Sequence, residues 1–272
     1  MAERIISLLT DFGTQDGFVG VMKGVIWKIA PGTAIADVSH EIEAQNILHG
    51  ALILGQSYRY FPDESIHVGV VDPGVGTSRQ AIALRIGKYF FVGPDNGLLT
   101  IPIQDGLRNG ETIQAVVLDK PGYWLEAVSA SFHGRDIFAP AAAHLARGTA
   151  IEALGSAMEG TPTCLEIPKA IRTDFGWRCQ VLMADRFGNL ITNLSQDETG
   201  GAGIGEVRCV EAVCDTFVRT FGEGHPGQLV TMFDSSGRLS LCVVGGSARE
   251  RVKAKTGQTI EVYLVEAGDF PG

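Results

Sequence analysis

Arg4-Ile5-Ile6-Ser7-Leu8-Leu9-Thr10-Asp11-Phe12-Gly13 is a short apolar run that breaks into acid, aromatic and glycine. A run of this length, apolar nearly throughout, fits a strand covered on both faces and is too short for a helix. Residues 17–30 then place apolar side chains at helical period until Pro31-Gly32 stops them. Strand, polar loop and helix are the opening of a βαβ unit.

Working outward, residues 33–38 predict a second strand, 45–60 a second helix and 66–71 a third strand, an alternation that implies a parallel sheet covered on both faces. Residues 81–86 and 89–92 pair as a hairpin about Gly87-Lys88, and Gly93-Pro94-Asp95-Asn96-Gly97 is turn chemistry, so antiparallel strands join the sheet. Residues 136–147 predict a helix with alanines on one face, ended by Gly148. From Arg178 the texture changes to short strands at 179–185, 206–213, 228–234, 239–244 and 259–265, with glycine-rich turns and hardly any helix. The expected fold class is α/β: a Rossmann-like, three-layer, mixed-sheet domain over residues 1–168, then a smaller C-terminal β-barrel over 177–272. The boundary falls between Leu165 and Trp177.

Composition narrows the function. The chain has 272 residues, 45% hydrophobic and 19% charged, which describes a globular protein without a long disordered tail. Lys and Arg total 22 against 31 Asp and Glu, and the resulting charge of −9 repels polyanions, so nucleic acid is not an expected partner. Five cysteines, odd in number and without a C-x-x-C pair, predict a reducing, cytoplasmic setting. No stretch approaches the roughly 18 apolar residues of a membrane span, and the N-terminus does not read as a signal peptide.

In open α/β sheets ligands lie beyond the carboxyl ends of the strands, so the polar residues there are the candidates. Asp11 alone fits a helix cap or turn, but with Asp16 it forms a two-carboxylate loop suited to a diol and a cation. That loop lacks phosphate-binding glycines. Asp37 with Ser39-His40 follows the second strand. After the third comes Asp72-Pro73-Gly74-Val75-Gly76-Thr77-Ser78-Arg79, either a plain turn or a fold-back that brings Arg79 onto Asp72. His133, in Phe132-His133-Gly134-Arg135-Asp136, taken singly reads better as a structural histidine near a helix cap. No histidine spacing supports a catalytic metal. In the β-rich part, Asp185 and Asn189 flank Phe187-Gly188, Ser235 and Ser236 follow Asp234, and Gly245-Gly246 offers bare backbone to a ligand.

Taken in order, Thr10-Asp11-Phe12-Gly13, Asp72 to Arg79, Gly93-Pro94-Asp95-Asn96-Gly97, Phe132 to Asp136 and Phe187-Gly188-Asn189-Leu190 resemble the S-adenosylmethionine hydroxide adenosyltransferase family, relatives of the fluorinating and chlorinating enzymes. The match spans nearly the full chain. The resemblance implies that water and S-adenosylmethionine give adenosine and L-methionine, with S-adenosylmethionine as substrate and no metal or organic cofactor. It implies a homotrimer or dimer of trimers whose sites join one subunit's N-terminal domain to its neighbour's C-terminal domain.

By position, Asp11 resembles the ribose-diol carboxylate, and Asp16 and Asp185 the holders of the methionine ammonium. Ser235 and Ser236 are similar to methionine-contacting residues, Asn189 with the Gly245 backbone to the adenine-edge reader, and Phe221 to the aromatic that stacks on the base. Asp72, Arg79 and His133 match the catalytic triad of the hydrolytic branch, where the halogenating relatives carry a tyrosine at position 72 and an insertion after Gly87. Two departures, Gln45 in place of a tryptophan and Phe18 in place of a serine, alter the methionine pocket. The expected mechanism has Asp72 and His133 share removal of the water proton while Arg79 fixes Asp72 and stabilises the hydroxide, with a purely water-orienting Asp72 as the other reading. A halogenase and a non-catalytic nucleoside-binding module are the alternatives that an adenosine assay with and without chloride separates.

Overall fold

The computed structural model describes residues 4–265. The chain divides into two compact units, one running to Glu166 and the other beginning at Ile167.

The first unit follows the alternation of its sequence: β1 (Ile6–Thr10), α1 (Phe18–Ile29), β2 (Ile35–Ser39), α2 (Ile47–Ser57), β3 (Ile66–Val70), β4 (Ala81–Ile86), β5 (Tyr89–Pro94), α3 (Thr100–Arg108), β6 (Ile113–Val117), α4 (Ala139–Ala146) and β7 (Ser156–Ala157). Its seven strands lie in the order β2-β1-β3-β5-β4-β6-β7. β1 pairs parallel with β2 and β3, and β3 with β5, whereas β4 and β6 run antiparallel. Side chains alternate across this sheet. Ile6 and Leu8 of β1 and Phe90 and Val92 of β5 pack with Met22 and Ile26 of α1 and the alanines of α4, while Leu9, Ile82, Leu84 and Phe91 pack on the other face with Leu54 of α2 and Ile103 of α3. The result is three layers.

Several elements of this unit depart from the sequence reading. α3 and β6 stand where no element was expected. The helix expected over 136–147 begins instead with a π-helical turn, Gly134–Phe138, before α4. The wider turn is closed by the Ala139 amide donating to the Gly134 carbonyl five residues back, and ahead of it the amides of Arg135 and Asp136 share the Phe132 carbonyl, each at 3.1 Å.

The second unit carries β8 (Ile171–Arg172), β9 (Gly176–Ala184), β10 (Leu190–Ser195), α5 (Gln196–Thr199), β11 (Ile204–Cys209), β12 (Ala212–Cys214), β13 (Leu229–Phe233), β14 (Arg238–Val243), α6 (Ala248–Val252) and β15 (Thr259–Leu264). The strand order is β12-β11-β15-β9-β10-β14-β13, all antiparallel. Just past β12, the Thr216 carbonyl accepts from the Thr231 amide and the Val218 amide donates to the Thr231 carbonyl, each at 2.9 Å, which brings the two ends of the sheet together. This is a near-closed barrel around Trp177, Val181, Leu190, Leu194, Leu241 and Ile260. The single strand expected over 206–213 is a hairpin, because Val210 takes a left-handed turn at φ 55°. β10 is the second arm of a hairpin with β9, the two strands flanking Phe187-Gly188-Asn189.

Among the described residues, no helix is long and apolar enough to cross a membrane.

Candidate active site

At the carboxyl ends of β1 and β3, the first unit opens into a cleft of about 420 Å³ lined by residues that include Asp11, Gln45, Asp72, Ser131, Phe132 and His133. Parallel pairing of β1 with β3 aligns Thr10 with Val70, so the loops that carry Asp11 and Asp72 leave the sheet side by side.

Asp72 and Arg79 meet because the loop between them is two overlapping turns. The Val75 amide donates to the Asp72 carbonyl at 3.2 Å and the Thr77 amide to the Gly74 carbonyl at 3.1 Å. Gly76 sits at φ 77°, where a side chain would also run into the carbonyl oxygen of Ala130. That close approach brings this loop against the segment leading to His133. Asn96, from the turn after β5, donates its amide to the Val71 carbonyl at 2.9 Å and ties down the end of β3.

Arg79 Nε donates to Asp72 Oδ1 at 3.0 Å and Oδ2 at 3.1 Å, and Nη2 also bonds Oδ2. The side chains of Arg79 and Asp72 are only 10% and 5% exposed, so this is a shielded pair of the kind that holds its geometry. The guanidinium lies over the Phe138 ring, 5.3 Å from its centre. Its Nη2 is also 2.9 Å from His133 Nδ1. Burial and then the Arg79 charge hold the His133 pKa below the ordinary histidine value, against the opposing pull of Asp72 and Asp136. Asp136, fully buried, accepts from Arg135 Nε at 2.6 Å and from the Ser129 amide at 2.8 Å, fixing the backbone on both sides of His133.

Asp11 spends one oxygen inside the protein: Oδ2 accepts from the Gln45 amide at 2.8 Å. Gln45 is itself left-handed, at φ 65°. Phe12, Phe18 and Phe132 form a wall of edge-to-face rings with centres 5.3–5.8 Å apart. Asp16 is exposed and does not line the cleft. His40 bonds Thr10 Oγ1 at 2.8 Å, fastening the β2 end to β1, and Asp37 accepts from Lys23 of α1 at 2.6 Å.

The second unit has its own cleft, about 550 Å³, lined by Phe187, Asn189, Phe221, Val243, Gly245 and Gly246. Asp185 is not on its wall. Its Oδ1 accepts from the Phe187 and Asn189 amides at 2.9 Å, and Oδ2 from Asn189 Nδ2 at 2.7 Å. Because a carboxylate only accepts, it fixes the Asn189 amide with NH₂ inward and leaves the carbonyl oxygen free. Gly188, at φ 82°, lies so close to Ser247 that a Cβ would collide with it. Ser235 and Ser236 sit on an exposed turn, the Ser236 hydroxyl donating to Asp234 at 2.6 Å, and neither reaches this cleft.

The structure therefore brings together Asp11, Asp72, Arg79 and His133 in one place, and Asn189, Phe221 and Gly245 in another. Sequence reasoning singled out Phe18 as a pocket residue but assigned no site role to Phe12, Phe132, Ser131 or Phe187. Phe12 and Phe132 each adjoin a motif residue, Asp11 or His133, and that adjacency was the available signal.

Models described as the SAM hydroxide adenosyltransferase N-terminal and C-terminal domains match residues 6–155 and 179–261. The chain is 39% identical over 259 residues to a protein of Salinispora tropica named (R)-S-adenosyl-L-methionine hydrolase, covering 94% of this chain and 97% of that one. It is 38% identical over 268 residues to a protein of the same name from Thermus thermophilus, covering 95% and 99%. A fluorinase of an Actinoplanes species is more distant, at 28% over 292 residues, covering 95% and 97%. Among solved structures, an uncharacterized conserved protein from Thermotoga maritima superposes with a TM-score of 0.86 at 32% identity, covering 95% of this chain and all of that one.

Proposed function

We propose that this chain, which belongs to the SAM hydroxide adenosyltransferase family, carries out its chemistry in the cleft that holds Asp11, Asp72 and His133. The reaction is hydrolysis of S-adenosyl-L-methionine to adenosine and L-methionine. The observation that carries the placement is the shielded Asp72–Arg79–His133 constellation at the end of a parallel strand.

In this reaction water forms a bond to the 5′ ribose carbon as the carbon–sulfur bond breaks. The sulfur keeps the electron pair and leaves as a neutral thioether, so the leaving group needs no acid. Water, which ionises near pKa 15.7 in bulk, needs help instead. A positioned base contributes ~10²–10⁴-fold, and the aromatic wall and buried ion pair supply a site in which water is held and other solvent excluded. Arg79 leaves lone-pair positions on Asp72 for that water. The free oxygen of Asp11 is placed for a ribose hydroxyl. Gly87-Lys88 is a tight turn between β4 and β5, with no insertion of the kind the halogenating branch carries.

The second cleft is assigned to adenine: Phe221 and Phe187 offer faces to the base, and the Asn189 carbonyl an acceptor for its amino group. The resemblance supports a trimer or dimer of trimers in which each reaction cleft meets a neighbour's adenine cleft, with Asp16, Asp185, Ser235 and Ser236 toward the methionine end. The relatives' names support preference for the (R) sulfonium epimer, and the free cysteines a reducing, cytoplasmic setting.

Incubation with S-adenosyl-L-methionine should release adenosine, with and without chloride, at a rate that Asp72→Asn lowers by ~10²-fold or more. Near wild-type turnover by that variant would remove Asp72 from the mechanism, and chloride-dependent chloroadenosine would assign the chain to halogen chemistry.

A further inference from the structure

We infer that His133 serves the reaction as a hydrogen-bond donor through Nε2–H, and is not the base that removes the water proton. The inference rests on the placement of hydrolysis in the Asp72 cleft and assigns one role within it.

Arg79 Nη2 lies 2.9 Å from His133 Nδ1. A guanidinium has only donors and stays charged in proteins. Nδ1 must therefore be the acceptor, with its lone pair directed at Arg79. An imidazole whose Nδ1 accepts is neutral and carries its proton on Nε2. Burial and the Arg79 charge both favour the neutral ring, and the two facing carboxylates, Asp72 and Asp136, are each already matched by an arginine.

Neither ring nitrogen is then able to act as the base. Nε2 already holds a proton. Nδ1 accepts one only by giving up Arg79 and placing an imidazolium against a guanidinium, two like charges in a shielded site. Asp72 keeps lone pairs beyond those that Arg79 occupies, so proton removal falls to its carboxylate alone. His133 lines the cleft, and Nε2 is the ring nitrogen that Arg79 leaves free. An N–H aimed at an oxygen that gains negative charge stabilises the transition state more than the ground state, with losses of ~10²–10³-fold when such a donor is removed. The expectation from sequence that Asp72 and His133 share the proton is replaced by a division of labour: Asp72 takes it, and His133 steadies the oxygen left behind.

The tautomer is readable in the unmodified full-length protein by long-range ¹H–¹⁵N correlation of the histidine rings at neutral pH, with His133 assigned from the spectrum of His133→Gln. The expected spectrum shows a neutral ring protonated at Nε2. A ring protonated at Nδ1, or an imidazolium, overturns the inference whatever the activity. In the companion assay, His133→Gln places an amide N–H near the Nε2 position and should keep turnover within ~10-fold of wild type, while His133→Ala should fall by ~10²–10³-fold. Gln and Ala variants that are equally inactive overturn the donor role. Full activity of His133→Ala together with the Nε2–H spectrum would instead overturn the placement of the reaction in this cleft, and the role with it.

Discussion

Replacement of Asp11 by alanine should do two separable things, because its carboxylate faces two ways. One oxygen holds the Gln45 amide at 2.8 Å and the other is free for a ribose hydroxyl. Losing the first bond removes a partly exposed, charge-assisted contact of about 1–2 kcal/mol, and Gln45 already bears a left-handed backbone that costs a non-glycine residue roughly 1–2 kcal/mol. Asp11→Ala should thus lower the melting temperature by about 2–8 °C. Loss of the second contact leaves a desolvated hydroxyl unpaired, at about 1–3 kcal/mol, or roughly 5- to 150-fold in nucleoside affinity. Adding Gln45→Gly relieves the backbone strain and should restore about 1 kcal/mol of stability, while affinity stays low. Calorimetry with adenosine, paired with thermal melts of the single and double variants, reads both effects. Unchanged adenosine affinity in Asp11→Ala refutes the diol role; affinity restored by Gln45→Gly shows that Asp11 acts only through the loop.

His67 is fully buried against Ser7, Tyr58, Phe61 and Phe91, its Nε2 has no partner among the described residues, and burial drives its pKa down to about 4 from 6.5. Since the unfolded chain takes up that proton first, stability holds above pH 6.5, falls as pH drops toward 4, and loses about 3 kcal/mol in all; denaturant titrations at pH 7 and 4.5 should show this decline flattened in His67→Phe, and an equal decline in both proteins would exclude His67 as its source. Subunit sharing of the site predicts that Asp72→Asn mixed with Asn189→Ala regains activity on co-assembly, and a fully active monomer by sedimentation would place the whole site within one chain.

Most of the sheet was legible because buried strands announce themselves as apolar runs: β1 and β3 are covered on both faces and their sequences say so. α3 was hidden by Pro102 and Gly106, which read as turn residues. In the structure Pro102 lies in the first helical turn, where no amide is needed, and Gly106 is where a Cβ would strike Ile86 of β4. In the site, Asp72 and Arg79 are joined by a local glycine-rich loop, so their pairing was readable from spacing. The approach of His133 depends on Gly76 packing against Ala130, a tertiary contact with no local signature. Asp185 and Asn189 were legible as flanks of one short loop, but the bond by which Asp185 fixes the Asn189 amide depends on side-chain geometry that spacing alone does not give.

If water attacks the 5′ ribose carbon, its oxygen ends in adenosine. Turnover of S-adenosyl-L-methionine in ¹⁸O-labelled water, followed by mass spectrometry of both products, should give adenosine carrying one ¹⁸O at its 5′ oxygen and unlabelled methionine. Label in the amino-acid product, release of free adenine, or adenosine without label would place the bond cleavage elsewhere and contradict the account.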